Sequence, residues 1–190
     1  MSVKDIIEKR RAYRSLEKIE ITQNLLDELI SSARLSPSCF NNQPWRYIFV
    51  HDQSILEKMF DTLSKGNEWA TRASMIIAVV SREDFDCQIY DRTYNLFDTG
   101  MATAFMILRA TELGLVAHPI AGYSPKKVRA VLDIPDDMQV ITLVIVGKHA
   151  DDINELLSEK QIQDEKKRPE RKPIDELFYF NKYTGGTDNE

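Results

Sequence analysis

Three short clusters in this chain carry side chains able to bind or move charge. The first is Arg10-Arg11-Ala12-Tyr13-Arg14. Several guanidinium groups crowded into one segment suit a dianionic phosphate, since each gives planar, paired, charge-assisted hydrogen bonds. The plainer reading is a solvated face whose arginines pair with Glu8 or Glu17. The second is Pro37-Ser38-Cys39-Phe40-Asn41-Asn42-Gln43-Pro44-Trp45. Its small and amide residues offer donors and acceptors to the edge of a flat heterocycle, and its prolines stiffen a loop longer than most connections. The third is His118-Pro119-Ile120-Ala121-Gly122-Tyr123. Small residues there let backbone approach a ligand ring, and Gly122 can take a conformation closed to other residues. His118 by itself reads as a satisfied buried histidine. His51, His118 and His149 are scattered, so no metal constellation is visible, and no GxSxG nucleophile motif occurs. No side chain is marked as acid, base or nucleophile.

The elements that position these clusters follow from periodicity and caps. Ser2 and Asp5 form a capping-box-like start to a helix whose Val3, Ile6, Ile7 and Arg10 share a face, which puts the arginines at its end. Thr22 caps a second helix with an apolar stripe of Leu25, Leu26, Leu29, Ile30 and Ala33, ending before the polar loop. Residues 47–50 read as a strand, 55–63 as a helix and 75–80 as a buried strand. Asp98 or Thr99 starts a central, nearly all-apolar helix that runs to Glu112 and is stopped by Gly114. Residues 115–121 are extended, Ser124-Pro125 opens another helix, and 140–147 form the clearest strand. Strands and helices separated by long irregular loops favour a three-layer α+β domain over a doubly wound dinucleotide fold. Neither GxGxxG nor a phosphate-binding GxxxxGKS/T motif is present.

With 190 residues and 43% hydrophobic content, the chain has enough apolar surface for one domain. A formal net charge of -5 argues against a nucleic-acid partner. The amino terminus is charged from Lys4, without a signal-peptide core, and the apolar runs are strand-sized. The expectation is a soluble cytoplasmic protein with no membrane association. Cys39 and Cys87 lie far apart with no CxxC pair, which speaks against a disulfide and against zinc and fits a reducing compartment. The charged stretch 159–172 and the polar tail TGGTDNE are compositionally odd, and the tail is expected to fray.

Taken in order, these segments resemble the nitroreductase family. RRAYR is similar to its RRSxR motif, PSCFNNQPW to its PSxxNxQPW loop and HPIAGY to its small-residue flavin turn, followed by LxIP and VxxxxxG elements at 132–135 and 140–147. The resemblance runs from about residue 4 to about residue 178. It implies one three-layer α-β-α domain over 1–178, with a mixed, mostly antiparallel sheet, and a tail over 179–190. It also implies a homodimer with FMN at its interface and no metal. NADH or NADPH would be the co-substrate, and hydride would pass by a ping-pong mechanism to a flat, electron-poor acceptor such as a nitroaromatic or quinone. The alternatives are a dehalogenating or flavin-destroying member, with 83–95 as the only candidate lid, or a protein that binds FMN or another phosphate ligand without turnover.

Residue by residue, the resemblance puts Arg10, Arg11 and Arg14 on the FMN phosphate and ribityl chain, with Ala12 against them. Pro37, Ser38, Cys39, Asn41 and Gln43 match the loop that reaches the flavin of the neighbouring subunit. Asn67 matches a contact to the isoalloxazine, and Pro119, Ile120, Ala121 and Gly122 match backbone beside the ring. Arg171, with Arg168 as the alternative, matches the carboxy-terminal basic residue that closes on the phosphate. Leu177, Phe178, Tyr179, Phe180 and Tyr183 would then pack along the partner. Three departures stand out: Ala12 replaces the usual serine, Pro169 stands where a basic residue is common, and Ala70 replaces a lysine that larger members carry near the flavin edge.

Overall fold

A computed structural model describes residues 1–185. Its centre is the strand Met75–Ser81 (β3), with all seven residues buried. Side chains alternate between the faces of a strand, and here each face has its own core. Ile76, Ala78 and Val80 join one cluster, while Met75, Ile77 and Val79 join the other. The longest strand, Gln139–His149 (β7), divides in the same way, Leu143 and Ile145 against Val144 and Val146. The helices Gln53–Phe60 (α3) and Pro125–Leu132 (α5) cover the first face through Leu56, Met59 and Val128. The helices Gln23–Arg34 (α2) and Asn95–Glu112 (α4) cover the second through Leu29, Ala33, Met106 and Ala110. This is the expected three-layer α+β domain.

Strand β7 is the hub of the sheet. β3 runs along one edge, from Met75 opposite Val146 to Ser81 opposite Gln139. The two-residue strand Leu16–Glu17 (β1) continues that edge beside Lys148 and His149, and Leu115–Ile120 (β6) lies along the other. Arg46–Val50 (β2) pairs outside β3. Every one of these pairings is antiparallel, so the antiparallel majority expected of the sheet is here the whole of it among the described residues.

The helix signals hold where a side chain closes the first turn. Helix Val3–Lys9 (α1) begins with the Ser2/Asp5 capping box, α2 with Thr22 and α5 with Ser124, while Gly114 at φ +82 follows α4. Helix α4 begins three residues before the expected Asp98. Asp98 is not its cap: its N–H bonds the Tyr94 carbonyl inside the helix, and its carboxylate turns outward to the 38–43 loop. The charged stretch is ordered into a helix, Glu159–Lys166 (α6), closed by a Ser158/Gln161 capping box. The 83–95 segment holds a small hairpin of Gln88–Ile89 (β4) and Arg92–Thr93 (β5). Of the tail expected to fray, residues 186–190 lie outside the described residues. No helix among the described residues is long and apolar enough to cross a membrane.

Candidate functional site

The end of α1 and the segment after α6 meet to form a basic recess. Arg10, Arg11, Ala12, Arg14, Arg168 and Arg171 line it, together with Asp164 and Pro169. Among the described residues none of the five arginines forms an ion pair: Glu8 pairs with Lys4 at 3.8 Å and Glu17 with Lys148 at 2.6 Å, so the pairing with Glu8 or Glu17 is not what the arginines do. What holds the arginines is backbone. Arg11 donates to the Asp164 carbonyl at 2.7 Å and the Glu165 carbonyl at 3.1 Å, at the carboxy-terminal end of α6, where carbonyls lack helical partners. Arg168 donates to the carbonyls of Glu8 and, at 2.8 Å, Arg10. The buried Glu165 carboxylate accepts the backbone N–H groups of Arg14 and Ser15, both at 2.9 Å, and fixes the turn that carries the cluster. Burial, followed by the nearby charges of Arg168, Arg171 and Arg11, lowers the pKa of Arg10. Five guanidinium groups against the single Asp164 carboxylate of the lining leave a surplus of positive charge that suits an anion.

The fold brings together a second group, Asn67 and the 119–122 turn. The Asn67 side-chain amide donates to the Gly122 carbonyl at 2.9 Å, and its oxygen accepts from the Trp69 indole at 3.2 Å. Gly122 is required for space rather than for backbone conformation: a Cβ there would stand 2.2 Å from the Asn67 amide nitrogen, and its φ is not positive. Pro119 and Ala121 are exposed, whereas the Ile120 side chain is buried, leaving its backbone to the turn. Trp69 stacks on His118 at 4.8 Å, and His118 Nδ1 lies 3.1 Å from the Tyr13 carbonyl. The buried imidazole therefore ties the arginine segment to the Asn67 turn. Burial is the main reason its pKa is pushed down to about 4, against a weaker opposing effect of the Tyr13 carbonyl. It is neutral near pH 7 and structural. Ala70 is wholly buried in the core, so no charge reaches the site from that position.

The 37–43 loop stands apart from both groups. Asn41 and Gln43 line a groove with Ser31, Arg34 and Leu35 that shares no residue with the arginine recess. Three of its residues, Phe40, Asn41 and Gln43, hold left-handed φ of 46, 57 and 50 degrees, a conformation that costs non-glycine residues about 1–2 kcal/mol each. One bond to α4 and one within the loop keep that shape: Cys39 N–H to Asp98 at 2.6 Å and Gln43 N–H to Ser38 Oγ at 3.0 Å. Cys39 is also joined to Cys87 by a disulfide. The spacing argument against a disulfide is overturned, because two cysteines 48 residues apart are brought together by the fold rather than by local sequence. The inference of a reducing compartment from unpaired cysteines falls with it.

The fold and site define a three-layer α+β protein with a basic anion recess at the end of its first helix. The chain belongs to the nitroreductase family: the profile described as "Nitroreductase family" matches residues 7–148. Among its relatives is an Archaeoglobus fulgidus protein carrying the name NADH dehydrogenase/NAD(P)H nitroreductase. It is 29% identical over 147 residues, spanning 75% of this chain and 83% of its own length. A solved structure described as an oxidoreductase containing FMN is 25% identical with a TM-score of 0.83, covering 98% of this chain and 95% of that one. A nitroreductase from Exiguobacterium sibiricum, solved in complex with FMN, is 19% identical with a TM-score of 0.78, covering 95% of this chain and 98% of that one.

Proposed function

We propose that this chain is an FMN-dependent oxidoreductase that takes hydride from NADH or NADPH and delivers it to a flat, electron-poor acceptor such as a nitroaromatic or quinone. The observation that carries the reading is the recess of five arginines that form no ion pair among the described residues, which fits one terminal phosphate. Family membership and the FMN-bearing relatives support it. Arg10, Arg11, Arg14, Arg168 and Arg171 would hold the phosphate. The backbone of Pro119, Ile120, Ala121 and Gly122, with Asn67 behind it, would present a close, uncharged wall to the ring. When bound, FMN supplies the hydride-accepting and hydride-donating centre, so donor and acceptor use one place in turn and double-reciprocal plots give parallel lines.

The active unit in this reading is a homodimer with FMN between the subunits. Asn41 and Gln43 line a groove that shares no residue with the arginine recess of their own chain, and in this reading Pro37, Ser38, Cys39, Asn41 and Gln43 serve the partner's flavin. Apolar side chains that water would not favour stand exposed on the same molecule, with Phe97 at 63% and Phe180 at 86% exposure, beside Leu35, Phe105 and Phe178. The test is an anaerobic absorbance spectrum of the purified protein with and without reduced nicotinamide. A yellow protein that bleaches is expected. A flavin that binds and does not bleach makes the chain a binding protein, and a protein that takes up no FMN refutes the reading. Light scattering of the loaded protein tests the dimer: a monomer at full FMN occupancy removes it.

A further inference from the structure

The disulfide lies beside an orphaned carboxylate. Cys39 comes from the 37–43 loop and Cys87 from the 83–95 segment, and an oxygen of Asp86 and the two sulfurs all lie within 4.8 Å of one another. Asp86 is only 8% exposed. Its Oδ1 accepts the Cys87 N–H at 2.8 Å and the Asn42 amide at 3.3 Å, while its buried Oδ2 has no hydrogen-bond partner. A buried carboxylate oxygen is costly unless something positive or protonated meets it. Opening the disulfide adds two sulfurs to the same place. Two thiolates and a carboxylate so close together repel strongly unless a cation neutralises them.

We propose that reduction of the Cys39–Cys87 disulfide creates a site for one soft divalent cation of the zinc type, held by Cys39 Sγ, Cys87 Sγ and a carboxylate oxygen of Asp86. Water completes the tetrahedron. Zinc accepts this donor set at about 2.3 Å to sulfur and about 2.1 Å to oxygen, which sets two sulfurs on one ion about 3.8 Å apart. The cysteine Cα atoms are 6.1 Å apart, so rotation about the side-chain bonds supplies that opening without displacement of either backbone. The Asn42 amide, 3.4 Å from Cys87 Sγ, braces a sulfur and the carboxylate together from outside the ligand set, as supporting residues of metal sites do.

The steps balance. A dithiol reductant closes to its own disulfide and passes two electrons and two protons to Cys39–Cys87, giving two thiols; the cation then displaces both thiol protons to solvent. Disulfide and cation compete for the same sulfurs, and in either state the 37–43 loop stays fastened to the 83–95 segment. The proposal does not depend on the flavin reading. Asp98 is the competing explanation for the orphaned oxygen, since its carboxyl faces Asp86 and its pKa is raised, by burial first.

Cobalt titration of the full chain, reduced with a phosphine and desalted anaerobically, tests the proposal. One Co2+ per chain with tetrahedral visible bands and thiolate-to-cobalt charge transfer is expected, displaced by Zn2+. The oxidised protein should show none. Zn2+ should also shield both thiols of the wild-type chain from an aromatic disulfide reagent, a readout that needs no variant. Asp86→Asn, with its fold checked by circular dichroism, should weaken binding by about tenfold or more. Reduced protein without tetrahedral cobalt and without shielded thiols overturns the site. Asp86→Asn binding as tightly as wild type overturns the role of Asp86 and leaves its free oxygen to Asp98.

Discussion

The arginine recess is fastened to backbone and buried groups at several points, whereas the 37–43 loop is held by a few bonds and a disulfide. Arg11 and Arg168 are gripped by carbonyls, Arg14 and Ser15 by buried Glu165, and Tyr13 by His118, which in turn stacks on Trp69 and so reaches Asn67. The loop is tied to Asp98, Asp86 and Cys87 instead, and its three left-handed residues are Phe40, 88% exposed, with Asn41 and Gln43, whose groove shares no residue with the recess. A recess whose walls are tied together within one chain has its shape fixed by that chain alone. The strain in the loop is what a contact outside its own chain would explain under the proposed dimer.

His118 gives the largest expected effect, because it joins the recess to the turn. Its folded-state pKa of about 4 lies below its ordinary 6.5, so the unfolded chain binds a proton that the fold excludes. Stability is full above pH 6.5, falls as pH drops toward 4 and is level below that, by up to about 3 kcal/mol in total. Denaturant unfolding of wild type and His118→Gln across this window should show the slope only in wild type. Equal slopes would detach His118 from the stability of the recess.

Next in size is Arg14→Ala. One lost charge-assisted bond to a phosphate is worth about 1.5–3 kcal/mol, so FMN affinity measured by fluorescence quenching should fall roughly 10- to 100-fold. Retained affinity would mean that the recess holds something other than the phosphate. Gly122→Ala forces the Asn67 amide off the Gly122 carbonyl and should cost about 1 kcal/mol in thermal unfolding. An unchanged melting temperature would show that the turn gives way without cost.

The smallest effect belongs to the loop. Phe40→Gly removes a left-handed strain and buries nothing less within the chain, so stability should rise by about 1 kcal/mol. A loss of stability in the isolated subunit would erase the contrast between the two regions, since Phe40 would then be a packing residue of its own chain.

Local signals carried much of this architecture. Ser2, Thr22, Ser124 and Gly114 announce helix ends by side-chain or backbone chemistry within a few residues, and they are found where expected. The arginine cluster, Asn67 and the 119–122 turn were legible for a different reason, as ordered motifs at matching spacing. What escaped depends on distant partners. Strand β1 exists because β7 offers Lys148 and His149 to pair with, and α6 is anchored by Glu165 reaching back to Arg14 and Ser15. The start of α4 was displaced because Asp98, a good cap by type, is occupied by the Cys39 N–H from across the fold. The cysteine pair was hidden for the same reason, since nothing near either residue in sequence marks the other.

The central place of β7 also governs the order of events during synthesis. Strand β3, apolar from Met75 to Val80, leaves the ribosome with β2 as the one sheet neighbour already made. Its other edge is covered only when residues 139–146 emerge, and at roughly 5–20 residues per second that interval lasts on the order of 3 to 12 s. Throughout it the nascent chain carries an open, hydrophobic strand edge, the feature most prone to pair with another copy. Yield in a cell is therefore set by how well that edge is shielded while the last strand is being made.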